Sequence, residues 1–339
     1  MDLAYVWFLI VGFLFVGYFV LDGFDFGVGM SLPFIGKDNT DRRVLINTIG
    51  PVWDLNETWL IVAGAALFAA FPIWYGTLFS GFYLALLVIL LALIVRGVSF
   101  EYRHQGKGEQ WTNWFDWMIV VGSALPALLW GVAFANIIQG VPIDETGNYA
   151  GTFFTLLNPY GLLGGLTTLM LFFTHGVIFV TLKTDGELKA RAKALVTRST
   201  GITVAVAASF LLWTAWQHRD IDHLPVLLGL SAAAAVFLIA AWVLNMVGRE
   251  GWAFTTMALT IVFAVGAILA ALYPNVMPSS IDPAYSLTIE NASSTEYTLT
   301  VMTWIALFSL PLVMAYQGWT YWVFRKRVTR DSIPVGASH

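Results

Sequence analysis

Long apolar stretches recur along the chain, and short polar segments separate them. A membrane-spanning helix needs about 20 mostly apolar residues, and nine stretches meet this requirement. Turn residues such as Pro72, Gly140 and Pro274 fall between them. The pattern predicts an all-α integral membrane protein with nine transmembrane helices. We expect these helices at about residues 3–29, 45–70, 76–99, 113–138, 156–182, 200–217, 223–247, 253–273 and 298–324.

The predicted helices form a single transmembrane domain over residues 1–339. We expect a first four-helix bundle at about 3–138, a second at about 156–273, and one extra C-terminal helix at about 298–324. Every Lys and Arg except Arg219 lies either near the end of the third predicted helix (Arg96), after the first, third, fifth or seventh predicted helix, or in the C-terminal tail. The positive-inside rule therefore predicts the N-terminus outside and the C-terminus inside.

Composition agrees with a membrane protein and excludes several functions. The chain is 58% hydrophobic and 11% charged, whereas soluble proteins are about 25% charged. It has no cysteine, which excludes disulfides, thiolate metal sites, iron–sulfur clusters and thioether haem attachment. No basic run precedes Arg325, so we expect no nucleic-acid partner. For His175 we favour an interior histidine over a ligand, and for His218 and His223 ordinary loop histidines over a metal pair.

Ionisable residues inside membrane helices are functional hypotheses, because each costs about 2.5–3.5 kcal/mol even on insertion scales. In this chain they concentrate in the first four predicted helices: Asp22, Asp25, Asp54, Glu57, Arg96 and Asp116. Both acid pairs have i,i+3 spacing, so each pair shares one helix face. A continuous second helix would place Asp54 about 14 Å from the inner end. Five carboxylates facing one arginine predict that some are protonated, hydrated or paired with another chain.

Four of these six groups also have a purely structural interpretation. Asp22 and Asp25 can hydrogen-bond a neighbouring helix without any further role. Arg96 and Asp116, near predicted helix ends, can be interfacial charges. The GxxxG spacing of Gly23–Gly27 indicates close helix packing.

Two functional classes fit this distribution. The first is an ion-coupled transporter with carboxylates near its midplane. The second is a subunit of a larger membrane complex, in which the acids form a proton inlet from the cytoplasm or brace an interface. The acids lie toward one side, and paired Gly/Pro interruptions typical of broken transporter helices are lacking. Placement therefore favours the second class.

A series of long motifs, in order, resembles subunit II of the cytochrome bd-type quinol oxidase, over about residues 5–328. The motifs are "LDGFDFGVGM" at 21–30, "RRVLINTIGPVWDLNETWLI" at 42–61, "GAALFAAFPIWYGTLFSGFYLAL" at 64–86, "RGVSFEYR" at 96–103, "GVAFANIIQGVP" at 131–142, "LLNPYGLLGGL" at 156–166, "YPNVMPSS" at 273–280, "SLTIENASS" at 286–294 and "LTVMTWIALFSLPLVMAYQGWTYWVF" at 299–324. The loop after the sixth predicted helix is short, where some relatives carry a long insertion.

This resemblance implies a role in aerobic respiration at the bacterial cytoplasmic membrane. The family's enzyme oxidises quinol and reduces O₂ to water with protons from the cytoplasm. Two b-type haems and one haem d are held by subunit I, which forms a pseudo-symmetric heterodimer with a haem-free subunit II. A small single-helix subunit is a further candidate partner. A structural quinone is bound to subunit II in some relatives.

The resemblance also assigns roles to individual residues. Asp54 matches the intramembrane acid of the family's W-D-x-N motif, which is associated with a proton route toward haem d. Asp25 matches the second acid of D-G-F-D, near the same interior, and Glu57 is a further candidate. Trp59 matches a tryptophan that lines an O₂ conduit in some relatives. The remaining candidates for the proton route are Asp22, Asp116 and Arg96.

Overall fold

The computed structural model describes residues 2–106 and 108–333, so the predicted domain limits 1 and 339 lie outside the described residues. The described chain is mostly helical, as predicted. Eight of its helices are long and apolar enough to cross a membrane, and Trp53–Ala70 is not among those eight. The α-helices are α1 Leu3–Ile35, α2 Asn39–Ile49, α3 Trp53–Ala70, α4 Pro72–Gly81, α5 Tyr83–Tyr102, α6 Glu109–Gln139, α7 Pro159–Lys183, α8 Gly186–Gln217, α9 Leu224–Met246, α10 Glu250–Leu272 and α11 Glu296–Val323.

Two of the predicted helices are divided in the structure. The prediction of one helix over 45–70 is wrong, because α2 ends at Ile49 and α3 begins at Trp53. Pro51 lies in this break, where its missing N–H cannot extend α2. The prediction over 76–99 is also wrong in this respect, because α4 and α5 are separated at Phe82.

Helix α8 begins well before the predicted residue 200. The sequence prediction treated the charged segment that follows α7 as a loop, but α8 starts at Gly186. Leu188, Ala192 and Val196 recur every four residues along this segment, and all three are buried. Apolar residues at this spacing are typical of an amphipathic helix. The charged residues lie on its other faces, where Lys189 pairs with Glu250 and Arg191 with Asp41.

Helix α1 lies at the centre of the structure and packs against α3, α6, α7, α10 and α11. Its closest approach is to α7. A Cβ atom on Gly27 would lie 2.0 Å from the Phe172 carbonyl oxygen, and one on Gly176 would lie 2.3 Å from the Gly27 carbonyl carbon. The predicted role of Gly23–Gly27 in close packing is therefore confirmed, because the two backbones touch where only glycine fits.

The loops gather at two opposite ends of the helix bundle. At one end, strands β1 (Asn275–Met277) and β2 (Leu287–Thr288) form an antiparallel pair, and Val141 donates its N–H to the Pro278 carbonyl. At the other end, here called the basic end, ion pairs and hydrogen bonds hold several chain segments together. It comprises segments 36–43, 102–106, 108–116, 183–193, 249–250 and 324–333.

The C-terminal tail, residues 324–333, is held on the basic end by Lys183, which bonds the Lys326 carbonyl and the Val328 N–H, and by one buried carboxylate. Asp41 accepts hydrogen bonds from Arg330 Nη1 at 2.5 Å and from Arg191 Nη2 at 2.7 Å. Arg330 Nη2 also lies 2.9 Å from Asp38. The backbone N–H of Asp41 and then the Arg330 guanidinium lower the pKa of the Asp38 carboxyl. Asp38 therefore contributes to tail attachment above its unfolded-state pKa, and this contribution is lost as pH falls through the folded value.

Replacing Asp41 with asparagine is expected to release the tail. Two arginines lose their shared anion, so trypsin should cleave after Lys326 or Arg327 several-fold faster in the purified complex. Asp331→Asn is the control, because Asp331 is exposed and makes no hydrogen bond or ion pair within 2–106 and 108–333. Equal cleavage rates in the two variants would contradict the attachment.

Candidate functional site

The two acids of α1 lie together on its buried face. Asp22 and Asp25 are one helical turn apart, and both have 0% exposure. Burying a carboxylate is costly unless a cation or hydrogen-bond donors compensate its charge. The partners of the two side chains therefore determine what the site can do.

Arg96 of α5 is the cationic partner of Asp22. Its Nη2 lies 2.6 Å from Asp22 Oδ1 and 3.5 Å from Glu57 Oε2 on α3. The guanidinium also lies over the Phe26 ring at 4.4 Å, a cation–π geometry. Arg96 has 0% exposure, so its interpretation as an interfacial charge is wrong. It joins α1, α3 and α5 through one buried cation.

Asn56 of α3 is the partner of Asp25. Its Nδ2 donates to Asp25 Oδ2 at 2.7 Å and to the Leu21 carbonyl at 3.2 Å. Sequence reasoning missed this residue because it considered only ionisable groups. A signal was available, since an asparagine within an apolar helix requires hydrogen-bond partners, and Asn56 lies between the two acids of "WDLNETWLI".

Several polar atoms of the cluster have no partner within the described part of the chain. They are Asp22 Oδ2, Asp25 Oδ1, and Nε and Nη1 of Arg96. Each carboxylate thus has one oxygen engaged and one oxygen open. An open oxygen on a buried carboxyl is the atom at which a proton can be accepted or released without breaking an existing bond.

Asp54 does not lie in this buried cluster. It belongs to the first turn of α3, where its side chain is exposed on the outer surface of the described chain. The continuous helix from which the depth of Asp54 was predicted is divided at Gly50–Val52, so Asp54 lies in the first turn of α3. Glu57 lies one turn further along α3 and is 23% exposed. The i,i+3 spacing places Glu57 between Asp54 on the surface and Arg96 inside.

Trp59 lies on the inner side of α3, against α1. Its ring contacts the Gly17 backbone position so closely that a Cβ there would lie 2.1 Å from Trp59 Cε3. The indole Nε1 lies 3.5 Å from Gln317 Oε1 on α11. Trp59 thus contacts both α1 and α11, and its partner Gln317 also donates to the Asn56 amide oxygen.

Asp116 belongs to a different cluster, at the basic end. Arg103 Nε lies 2.6 Å from Asp116 Oδ1, and Arg42 Nη1 lies 2.9 Å from Oδ2. The expectation that five carboxylates share one arginine is therefore wrong, because Asp116 has two arginines of its own. Such a fully paired carboxylate ties the start of α6 to the neighbouring segments.

The histidines do not form a metal site in the part of the chain that the structure describes, where no group of three potential ligands occurs. His175 is fully buried, stacked on Phe254 at 4.7 Å, with Nε2 3.0 Å from the Val20 carbonyl oxygen. His218 and His223 contact the backbone carbonyls of Thr214 and Ala270.

Comparisons with known proteins agree with this architecture. The family model for cytochrome bd terminal oxidase subunit II matches residues 3–324. Cytochrome bd ubiquinol oxidase subunit 2 of Bacillus subtilis is 41% identical over 325 residues, covering 96% of both chains. Cytochrome bd-I ubiquinol oxidase subunit 2 of Escherichia coli K12 is 37% identical over 365 residues, covering 98% of this chain and 96% of the relative.

A solved structure shows the same fold. A chain of the bd oxidase from Geobacillus thermodenitrificans superposes with a TM-score of 0.76 at 18% identity, covering 96% of this chain and 99% of that chain. Fold and site together define a multi-pass, mostly α-helical membrane protein with a buried acid–arginine–amide cluster. With the match over residues 3–324, the chain belongs to the cytochrome bd terminal oxidase subunit II family. Its relatives are subunits of quinol oxidase complexes, which implies a subunit I partner.

Proposed function

We propose that the chain is the haem-free subunit II of a bd-type enzyme that couples quinol oxidation to reduction of O₂ to water. In this proposal it supports a haem-bearing subunit I in a pseudo-symmetric heterodimer and supplies a route for cytoplasmic protons. The family match supports the oxidase, and the buried cluster of Asp22, Asp25 and Arg96 supports the proton route. An ion-coupled transporter is not favoured by the family match.

The proposed topology has nine transmembrane helices in the bacterial cytoplasmic membrane, with the N-terminus outside and the C-terminus inside. The division into bundles at about 3–138 and 156–273, with a ninth helix at about 298–324, is part of this proposal. The contacts within the basic end support the orientation, because the segments rich in Lys and Arg lie on the same side of the bundle. This end would then face the cytoplasm.

The proposed proton route joins groups on adjacent helices. Asp54 lies on the surface of α3, and Glu57 lies one turn further along, 3.5 Å from Arg96. Arg96 in turn lies 2.6 Å from Asp22, which is one turn from Asp25 on α1. Buried carboxyls that lack full ion pairing can hold a proton near neutral pH and release it to a neighbour. Asp54 would then pass protons to subunit I.

Replacing Asp54 with asparagine tests this route. An amide of the same shape cannot carry the proton, so we expect turnover of the assembled oxidase to fall at least about tenfold. Haem content should stay at the wild-type level. The measurement is quinol-dependent O₂ consumption, normalised to haem d absorbance in the purified complex.

Glu101→Gln is the matched control, because Glu101 is an exposed acid near the end of α5 whose side chain has no hydrogen bond or ion pair in the described chain. Its turnover should be unchanged. Wild-type turnover in Asp54→Asn with full haem content would refute the relay. Loss of haem d in Asp54→Asn would instead give Asp54 a role in assembly.

The proposed cofactors lie outside this chain. Two b-type haems and haem d would be held by subunit I, quinol would be the substrate, and a structural quinone and a small single-helix subunit would be further components. Trp59 would line an O₂ conduit. The visible spectrum of the complex co-purified with this chain is the test, because a haem d band is expected with the partner and none from a lone transporter.

A further inference from the structure

The carbonyl oxygen of Asn56 accepts two hydrogen bonds from the last helix. Gln317 Nε2 lies 2.9 Å from Asn56 Oδ1, and the Tyr321 hydroxyl lies 2.8 Å from the same atom. Gln317 and Tyr321 are four residues apart on α11, so they share one face of that helix. Few side chains of α11 are buried, and Gln317 is one of these.

The Asn56 amide nitrogen uses both of its protons toward α1. One goes to the Leu21 carbonyl and the other to Asp25 Oδ2. With two bonds accepted and two donated, the amide is fully engaged. A flipped amide would set its oxygen against the Leu21 carbonyl and its NH₂ against the Gln317 NH₂. The surroundings therefore allow only one orientation.

We propose that Tyr321 and Gln317 are positioning residues that lock the Asn56 amide, so that the transferable proton of Asp25 is confined to Oδ1. Asn56 presents Asp25 Oδ2 with a donor and no acceptor. A proton on Oδ2 would point at the hydrogen of that N–H group and be repelled by it. Oδ1, by contrast, is buried and has no partner among the described residues. This inference rests on the proposed proton route, and it assigns the transferred proton to one atom, Asp25 Oδ1.

Other ionisable groups surround Asp25 but do not replace the amide at Oδ2. They are Asp22 on its own helix, Glu57 on α3, Arg96 on α5 and Tyr321 on α11. Arg96 Nη2 bonds Asp22 and Glu57. On α7, His175 contacts the Val20 carbonyl instead. Asn56 is thus the described hydrogen-bond donor to the Asp25 side chain.

The two donors on α11 predict a non-additive response. Either Tyr321 or Gln317 alone satisfies the Asn56 oxygen and keeps the amide in place. Removal of both leaves a buried carbonyl without a donor, which is costly. Only the Leu21 carbonyl then opposes a turn of the amide that would let its oxygen accept the proton of Asp25. The lock should therefore survive each single substitution and fail in the double variant.

The experiment compares Tyr321→Phe, Gln317→Met and the double variant in the assembled oxidase by infrared difference spectroscopy. The carbonyl band of protonated Asp25 is identified by its loss in Asp25→Asn. In the double variant this band should shift upward in frequency, because Oδ2 loses the amide donor, and turnover should fall about fivefold, the factor of one lost hydrogen bond. The single variants should stay close to wild type.

Tyr316→Phe is the control, since Tyr316 lies on the same helix with an exposed ring, and its band should not move. Asn56→Leu removes the donor directly and should give the same upward shift, which keeps the lock testable if the double variant does not assemble. A band that is present but unmoved in the double variant overturns the lock alone, whether or not it moves in Asn56→Leu. If Asp25→Asn removes no band and leaves turnover intact, the proton route fails as well.

Discussion

Replacing Arg96 with methionine is expected to destabilise the protein by about 3–5 kcal/mol, the cost of leaving one partner of a buried ion pair without its counterion. Methionine retains much of the apolar stem but provides no cation for Asp22. Both Arg96 and Asp22 have 0% exposure, so water cannot replace the lost partner. Glu57 is partly exposed and can remain hydrated. The main cost therefore comes from Asp22.

A double-mutant cycle measures this cost. The midpoint of thermal unfolding of the purified complex is compared for Arg96→Met, Asp22→Asn and the double variant. The double variant should be more stable than Arg96→Met alone, because the second substitution removes the unpaired carboxylate. Arg198→Met is the control, since Arg198 is exposed, and it should change stability by less than about 0.5 kcal/mol. Equal stability of Arg96→Met and the double variant would contradict the buried pair.

The sequence predicted the α1 part of the site because that part depends only on local geometry. Asp22 and Asp25 are separated by one turn of an uninterrupted helix, and apolar surroundings on both sides require their burial. Their common face follows from the spacing alone. The partner of each acid could not be predicted in this way, because Arg96 and Asn56 lie on other helices, and helix order along the chain does not set rotation or depth.

The same limit explains the error at Asp116. Its two partners, Arg42 and Arg103, precede it in the sequence by 74 and 13 residues. Both arginines lie outside the predicted transmembrane helices. A count of the charges within those helices therefore assigns no partner to Asp116. Charged residues just beyond a helix end can fold back onto it, so the span boundary is where charge counting fails.

The Gly50–Val52 break changes the interpretation of "WDLNETWLI". In a continuous helix, Asp54 and Glu57 would both lie deep within the membrane and would be equal candidates for the proton route. In the structure Asp54 is exposed on the outer surface of α3, whereas Asn56 points inward to Asp25. One turn of helix therefore carries an outward acid, an inward amide and, in Glu57, a carboxylate near Arg96. This arrangement links the interior of the chain to the surface that we propose faces subunit I.

Replacing Gly27 with alanine is expected to separate α1 from α7 and to prevent formation of a stable complex. The new methyl group would lie 2.0 Å from the Phe172 carbonyl oxygen and 2.7 Å from the Gly176 Cα. Both are backbone atoms, which cannot yield by a change of rotamer. Overpacking typically costs about 1–3 kcal/mol and occasionally more, and a backbone clash belongs at or above the upper limit. Stacking of Phe24 on Phe179 would be lost as the helices separate.

Gly201→Ala separates this clash from the general effect of adding a methyl group to a helix. Gly201 lies within α8, and a Cβ atom there would meet no neighbouring atom within 4 Å, so alanine should stabilise the helix by about 0.5–1 kcal/mol. The yield of assembled complex in membranes and its unfolding temperature are the measurements. We expect Gly27→Ala to lower both and Gly201→Ala to lower neither. If Gly27→Ala assembled with wild-type stability, α1 and α7 could not be in backbone contact, and the positions of Asp22 and Asp25 relative to α7 would have to be revised.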